Sequence, residues 1–288
     1  MRRPPPLPVR DGLGPARLRL QGGKVADEFA RRFGPDGLAK VRDGEVVDAD
    51  GAVIDLSTEM PAGAHVFLYR ELPDEVVVPF DIPVLYRDDD IVVVDKPHFL
   101  ATMPRGGHVA QTALVRLRRS LDLPELSPAH RLDRLTAGVL LFTVRREVRG
   151  AYQTLFARGV VRKTYLARSS GVASVALPTV VHSRIIKQRG RLQAFEEPGE
   201  PNAETLVEEL GGGCYRLNPR TGRTHQLRVH MASLDLPIDN DPLYPRVLEV
   251  AADDFSAPLQ LVAHRLEFED PFTGELRSFV SRSGAFGP

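Results

Sequence analysis

The sequence predicts an α+β protein built on a mixed, mostly antiparallel sheet with flanking helices, preceded by a small N-terminal unit. Three observations lead there. After residue 82 helical and strand patterns alternate irregularly, and several successive strands have no helix between them long enough for a parallel crossover. The run GVLLFTV is continuously apolar and bounded by Gly138 and charged residues, as expected of a buried central strand. Ahead of these elements, ELPDEVVVPFDIP places three prolines between one patterned region and the next, which reads as a linker.

Taken in order, residues 1–10 are proline-rich and expected to be flexible, because proline removes backbone donors and blocks helix. Residues 11–72 form a small unit: an amphipathic helix near VADEFARRFG, then short strands broken by Gly and Asp turns through VRDGEVVDADGAVIDLSTEMPAGAHVFLYREL. Residues 73–81 are the linker, and 82–288 the main domain. That domain opens with strands at VLYR and IVVVD and a helix near QTALVRLRRSL. RREVRGAYQTLFARG sets Val148, Ala151, Tyr152, Leu155 and Phe156 at helical spacing, with Gly159 as a C-terminal stop. Strands recur at RKTYLAR, AETLVEEL, CYRLNP, LQLVAHRLEFE and LRSFV.

Composition narrows the class. The chain of 288 residues is 42% hydrophobic and 26% charged, the balance of a globular protein with a substantial core. Its longest apolar stretch, AGVLLFTV, is too short to span a bilayer, and the two N-terminal arginines lead into no apolar run, so a cytoplasmic chain with no membrane partner is expected. The single cysteine, Cys214, excludes an intramolecular disulfide and a cysteine-built zinc site. The formal charge is zero, yet it is segregated. Residues 1–100 carry 13 basic and 18 acidic side chains, 101–191 carry 17 and 4, and 192–288 carry 8 and 16. A block at +13 between acidic flanks suggests a face for polyanions, although arginine bias, 33 of the 38 cations, would also raise that number.

Within the basic block stands HRLDRLTAG, where one carboxylate, Asp133, sits between Arg131 and Arg134 with His130 close behind. Nearby cations stabilise the ionised form, so Asp133 is expected to be an anion at pH 7. That argues against a general acid and leaves a structural ion pair, a general base or a nucleophile. Three further segments bear on the choice. RKTYLA places Tyr165 in a strand beside basic residues. NPRTGRTHQLRVHMA follows a strand, turns at Thr221 and Gly222, and enters a helix with His225 and Arg228 on one face. LPIDNDPLY packs turn formers around an aromatic. His225 and His230 are five apart, which is wrong for a helical metal pair, and the chain has neither a GxSxG elbow nor a glycine-rich phosphate loop.

HRLDRLTAG, KTYLA, GRTHQLRVHMA and PIDNDPLY, in this order and with IVVVDKP upstream, resemble the RluA family of RNA pseudouridine synthases over about residues 80–282. The resemblance implies a mixed sheet with a central RNA-binding cleft, and an isomerisation of uridine without cofactor or metal, in which the base leaves its ribose, rotates and reattaches through carbon 5. It makes Asp133 the catalytic aspartate, Tyr165 the tyrosine against the uracil ring, and Arg228 the arginine paired with the aspartate. Arg131 becomes the residue that enters the RNA stack, and Arg134, His130, Lys163, Arg223 and His225 further RNA-binding residues. A flipped base needs an aromatic platform, a vacated stack a planar cation, and an ionised carboxylate a buried cationic partner. A monomer acting on ribosomal, in the first place large-subunit, or transfer RNA is expected. The alternatives are a binding protein that lost catalysis, which an intact Asp133, Tyr165 and Arg228 oppose, and a nuclease or hydrolytic glycosylase.

Three positions depart from the family pattern: Phe99 stands where a glycine usually follows the KP pair, Ala137 in the usual serine position, and Asn240 in place of the glycine of PIxGD. They bear on the shape of the cleft rim, not on the proposed chemistry. Residues 11–72 resemble the small alpha-L RNA-binding module, in the strand half more than in the helical half.

Overall fold

The computed structural model describes residues 5–69, 71–72 and 74–283, and it divides into two units at Asp74 and Glu75. In the first, β1 (Ala16–Arg19) is followed by β2 (Gly23–Lys24), α1 (Val25–Arg42), β3 (Glu59–Met60) and β4 (His65–Leu68). β1 pairs antiparallel with β4 and β2 with β3. The helix is longer than VADEFARRFG suggests. Gly34 breaks it at φ 67°, and Pro35, whose ring presets a helical φ, starts a second helical stretch. Val25, Phe29 and Val41 of α1 pack with Leu20, Val46, Ile54, Val66 and Leu68 into the unit's core. The proline-rich start, expected to be flexible, is fastened at its end: Tyr69 donates its hydroxyl to Pro8 O at 2.7 Å, and Arg10 lies 4.2 Å over the Tyr69 ring. Residues 1–4 of that stretch lie outside the described residues.

Of the segment 73–81 expected as linker, residue 73 lies outside the described residues, Asp74 closes the first unit, and the second unit takes in the rest. The Glu75 carboxylate accepts the backbone N–H groups of Val109, Ala110 and Gln111, Val78 is buried in the core, and the Phe80 ring stacks at 6.2 Å on Phe99. Three unpaired donors and an apolar surface fix what proline content alone reads as loose chain.

Its elements run β5 (Val84–Arg87), β6 (Ile91–Lys96), α2 (Ala113–Leu121), β7 (Ser127–Pro128), β8 (Ala137–Thr143), α3 (Arg149–Ala157) and β9 (Arg162–Arg168). β10 (Thr179–Ser183), β11 (Ile185–Ile186), β12 (Phe195–Glu196), β13 (Ala203–Gly211) and β14 (Cys214–Pro219) come next. α4 (Gln226–Ser233), β15 (Leu261–Glu269) and β16 (Leu276–Val280) complete it. The main sheet has the order β10-β13-β14-β9-β15-β8-β6-β5, with β16 on β15 and β7 on β8. Every pairing in it is antiparallel except β15 with β8, so the sheet is mixed and mostly antiparallel as expected.

Side chains alternate across the pleat. Val92, Val94, Leu140 and Phe142 face one side with Leu114 and Leu117 of α2 and Leu227 and Met231 of α4. Ile91, Val93, Val139 and Leu141 face the other with Tyr152 of α3. β8 is buried along its whole length, which explains its unbroken apolar sequence. No described helix is long and apolar enough to cross a membrane.

The register positions the site. Gly138 lies opposite Ala263, Ala263 opposite Tyr165, and Tyr165 opposite Leu217, so one row across the sheet links the start of β8 to the middle of β9 and to β14. The parallel step of that row requires glycine. Gly138 has φ 113°, and a Cβ there would overlap the Ala263 carbonyl oxygen.

Candidate active site

The segment HRLDRLT, just before β8, is a loop whose backbone is tied down at successive points. His130 Nε2 accepts the Leu141 N–H at 3.1 Å, and its ring stacks on Phe156 with centroids 4.3 Å apart. Thr102 Oγ1 donates to Leu132 O at 2.8 Å and accepts from Leu132 N–H at 3.1 Å. Lys96 Nζ lies 3.3, 2.7 and 2.9 Å from Arg134 O, Leu100 O and Pro97 O, and His98 Nδ1 donates to Leu135 O at 2.7 Å. A turn closes from Thr136 N–H to Asp133 O.

These ties engage backbone groups and leave the reactive side chains free. The Asp133 carboxylate is half-buried and accepts no hydrogen bond from a described residue, and the exposed Arg131 side chain likewise has no partner among them. The ring of His130 is a different matter. Burial, with the Lys163 charge adding, pushes its pKa down to about 3, so it is neutral at pH 7 with one nitrogen committed to β8. It lines the cleft as a neutral ring.

Opposite this loop, β9 presents Lys163 and Tyr165. Burial, with the negative charge of Asp133 adding, raises the Tyr165 pKa, so the ring meets the cleft as a neutral phenol. Lys163 donates to Thr221 O at 3.1 Å, which ties β9 to the turn after β14.

The third wall is that turn and α4. Gln226 is buried and fully used: its amide donates to Glu204 O and Thr205 Oγ1, and its carbonyl accepts from Thr221 Oγ1 and Arg223 N–H. His230 is buried between Ser183 Oγ and Thr205 Oγ1, and burial pushes its pKa down to about 4, so it too is structural. Arg223 is exposed on the cleft and donates to Asn202 O. His225 does not share the helix with Arg228; it precedes α4, at φ 59°.

Arg228 corrects the sequence reading. Its expected partner was Asp133, but its Nε and one terminal nitrogen donate to the two oxygens of Asp241, at 2.7 and 2.6 Å. Asp241 also accepts Leu243 and Tyr244 N–H, and the Tyr244 ring lies under the guanidinium, 5.1 Å from its centroid. A rigid fork of donors in a buried place demands such a carboxylate. The Asp133 charge still raises the Arg228 pKa, after desolvation and the larger contributions of Asp241, so Arg228 acts on Asp133 across space and not through a bond.

Together these walls enclose a cleft of about 720 Å³. Of the nine residues singled out in the sequence, Asp133, Tyr165, Arg228, Arg131, His130, Lys163, Arg223 and His225 line it. Arg134 does not; it is half-buried, its charge bears on Lys96 and His108, and the Arg228 charge bears on it. Sequence reasoning missed Asp241, Tyr244 and the buried Lys96. The last had a signal, a lysine closing the apolar run IVVVD, since lysine is rarely buried without a task. Among the described residues no group of three or more His, Cys, Asp or Glu is placed to hold a metal ion.

The chain that carries this cleft is similar to known proteins in sequence and in fold. The family model described as RNA pseudouridylate synthase covers residues 90–233, and the chain belongs to that family. It is 34% identical over 205 residues to the dual-specificity RNA pseudouridine synthase RluA of Salmonella typhi, covering 68% of this chain and 90% of that protein. It is 31% identical to an uncharacterized RNA pseudouridine synthase of Synechocystis, over 69% of this chain and 70% of that one. With human pseudouridylate synthase RPUSD2 the identity is 33%, over 62% of this chain but only 33% of the human protein, so the chain spans about a third of that relative. Among solved structures, the human RNA pseudouridylate synthase domain containing 4 superposes with TM-score 0.54 at 26% identity, over 69% of this chain and 88% of that one.

Proposed function

We propose that this chain isomerises uridine to pseudouridine in RNA, with Asp133 as the catalytic carboxylate. The supporting observation is the division of labour in the loop 130–136: each residue from Leu132 to Thr136 has a bonded backbone group, while the Asp133 carboxylate has no partner among the described residues and faces Tyr165 across a cationic cleft. The reaction balances without an external reagent. The N1–C1′ bond breaks, a C5–C1′ bond forms, the proton on C5 leaves, and N1 gains one. Asp133 either attacks the anomeric carbon or removes a proton from the neighbouring ribose carbon. Tyr165 supplies the face against which the uracil turns, and Arg131, exposed and unengaged, fills the stack the base vacates.

In this reading Arg223, Lys163 and the basic middle block hold RNA phosphates, and Arg134 contributes charge from behind the wall. The substrate is ribosomal or transfer RNA. One relative, 28% identical, is a ribosomal large subunit pseudouridine synthase D from Neisseria meningitidis, and the large subunit is the first RNA to test. The chain works in the cytoplasm as a monomer, and residues 11–72 serve as an accessory RNA-binding module.

The test is conversion of in vitro transcribed ribosomal and transfer RNA, read by pseudouridine mapping, with the wild type and Asp133→Asn. The wild type should convert at least one uridine and the near-isosteric variant none. Turnover by the variant within tenfold of wild type would overturn the assignment.

A further inference from the structure

The proposed chemistry leaves His225 without a task, although it lines the cleft beside Asp133 and is held in a left-handed conformation, φ 59°, that residues other than glycine rarely adopt. The hydrogen bonds around Tyr244 determine which of its ring nitrogens carries the proton. The Tyr244 hydroxyl has three neighbours: Ala194 N–H at 2.7 Å, Ala194 O at 2.8 Å and His225 Nδ1 at 2.9 Å. A carbonyl oxygen only accepts, so the single hydroxyl proton goes to Ala194 O. An amide N–H only donates, so Ala194 N–H occupies one lone pair of the oxygen. The remaining lone pair is matched only if His225 Nδ1 donates to it. The proton of the neutral ring is therefore on Nδ1, and Nε2 is a bare acceptor.

Nε2 has no hydrogen-bond partner among the described residues, and it is not among the polar atoms sealed from solvent without one, so it faces the cleft. The ring is neutral at pH 7, because burial lowers its pKa; Asp133 and Asp241 act against that shift, while Arg228 and Lys187 add to it. A neutral acceptor does not suit a phosphate, whose oxygens are acceptors too. A phosphate is thereby ruled out as its ligand, and a hydrogen-bond donor is what remains.

We infer that His225 Nε2 accepts a hydrogen bond from the target nucleotide, either from its ribose 2′-hydroxyl or from the uracil N3–H. The inference rests on the proposed uridine isomerisation. Both donors are features that define the substrate, since the 2′-hydroxyl separates RNA from DNA and N3–H separates uracil from cytosine, whose N3 is an acceptor. A residue with this contact sets specificity, and its tautomer is imposed by Tyr244 from outside the cleft.

The test is a double-mutant cycle between protein and nucleotide. Once a converted uridine is mapped with the wild type, a synthetic stem-loop carrying that site is made with uridine, 2′-deoxyuridine or 3-deazauridine, which has C–H in place of N3–H. Single-turnover rates are measured for the wild type and His225→Phe, with melting temperatures as a check on folding. Expected is a roughly tenfold loss for His225→Phe on the uridine stem-loop, the size of one hydrogen bond. In one of the two arms the modified nucleotide should cost the wild type at least tenfold more than it costs the variant, and that arm names the donor. Losses that multiply independently in both arms would overturn the inference while leaving the isomerase reading intact. Should His225→Phe melt early, Tyr244→Phe serves in its place: it frees the tautomer without touching the cleft atom, and it should weaken the same coupling. If the wild type converts no uridine at all, the isomerase reading and this inference fall together.

Discussion

Asp133 and Asp241 are two carboxylates near one arginine, and replacing each by asparagine should have opposite consequences. The side chains of Arg228 and Asp241 are 2% and 0% exposed, and Asp241 accepts four hydrogen bonds. Asp241→Asn removes the charge that compensates a buried guanidinium. An amide oxygen that still serves Leu243, Tyr244 and one arginine nitrogen must put its NH2 against the other arginine donor. Breaking a buried pair in this way costs about 3–5 kcal/mol. At about 2–4 °C per kcal/mol for a domain of this size, the melting temperature should fall by roughly 10 °C. Asp133→Asn removes a charge that is half-buried and bonded to nothing described, so its stability change should stay within about 0.5 kcal/mol. The assay is thermal unfolding of both variants in one buffer, with pseudouridine formation measured well below either transition. Asp133→Asn should be stable and inactive. If instead Asp133→Asn melted as early as Asp241→Asn, Arg228 would be paired with Asp133, as the sequence suggested, and the geometry described above would be wrong.

Gly138→Ala places a Cβ on the Ala263 carbonyl at φ 113°, and backbone strain plus overpacking should together destabilise by roughly 3 kcal/mol in chemical denaturation; a neutral result would remove the close approach of β8 and β15. Arg131→Lys keeps the charge and loses the plane, so conversion should fall much more on a structured stem-loop than on a short unpaired RNA, while equal losses on the two would remove the stacking role. Burial pushes the Lys96 pKa down to about 7, so between pH 7 and the ordinary lysine value of about 10.4 the unfolded chain binds the extra proton and stability should rise with pH. Against Lys96→Met as reference, unfolding free energies at pH 7.5 and 9.5 should diverge by about 1.4 kcal/mol per pH unit, and parallel curves would mean that Lys96 keeps its proton.

The legible parts of this protein are those whose pattern is local. VLYR, IVVVD, GVLLFTV, CYRLNP and LQLVAHRLEFE are strands because several residues repeat one preference, and α2 and α3 follow from apolar spacing. β11 and β12, two residues each, have no period to read, and β10 is five residues whose half-buried, half-exposed alternation carries little apolar signal. In the site, the residue types were readable and their pairings were not. Asp133 and Asp241 offer Arg228 the same chemistry, and nothing in the spacing says that the fold brings Asp241 to it. Thr102 and His98 escaped notice because they bond to backbone groups of the 130–136 loop, and such targets carry no residue signature; for the same reason the signal at Lys96 points to burial and not to its target.

The departures from the family pattern follow the same distinction between backbone path and side chain. Phe99 and Asn240, at usual glycine positions, have φ 65° and 62°, where glycine is free of strain and an ordinary residue costs about 1–2 kcal/mol. Asparagine tolerates this region, and Asn240 fastens itself to Pro258 O at 3.1 Å. Phenylalanine offsets the strain differently. Phe99 is buried and packs on Phe80 and Phe255 with centroids 6.2 and 5.3 Å away, and burying such a ring is worth about 1.5–3 kcal/mol before any aromatic pairing. The same contact draws residues 75–82 onto the second unit, so one substitution both strains the loop after Lys96 and supplies the packing that holds it. Ala137 opens β8 in a fully buried position, where a hydroxyl would need a partner of its own. None of the three lines the cleft, and the backbone they preserve carries Lys96 to the Asp133 loop and Asp241 to Arg228. These departures therefore leave the cleft lining to other side chains, and Arg131, Arg158 and Arg223 stand exposed around it.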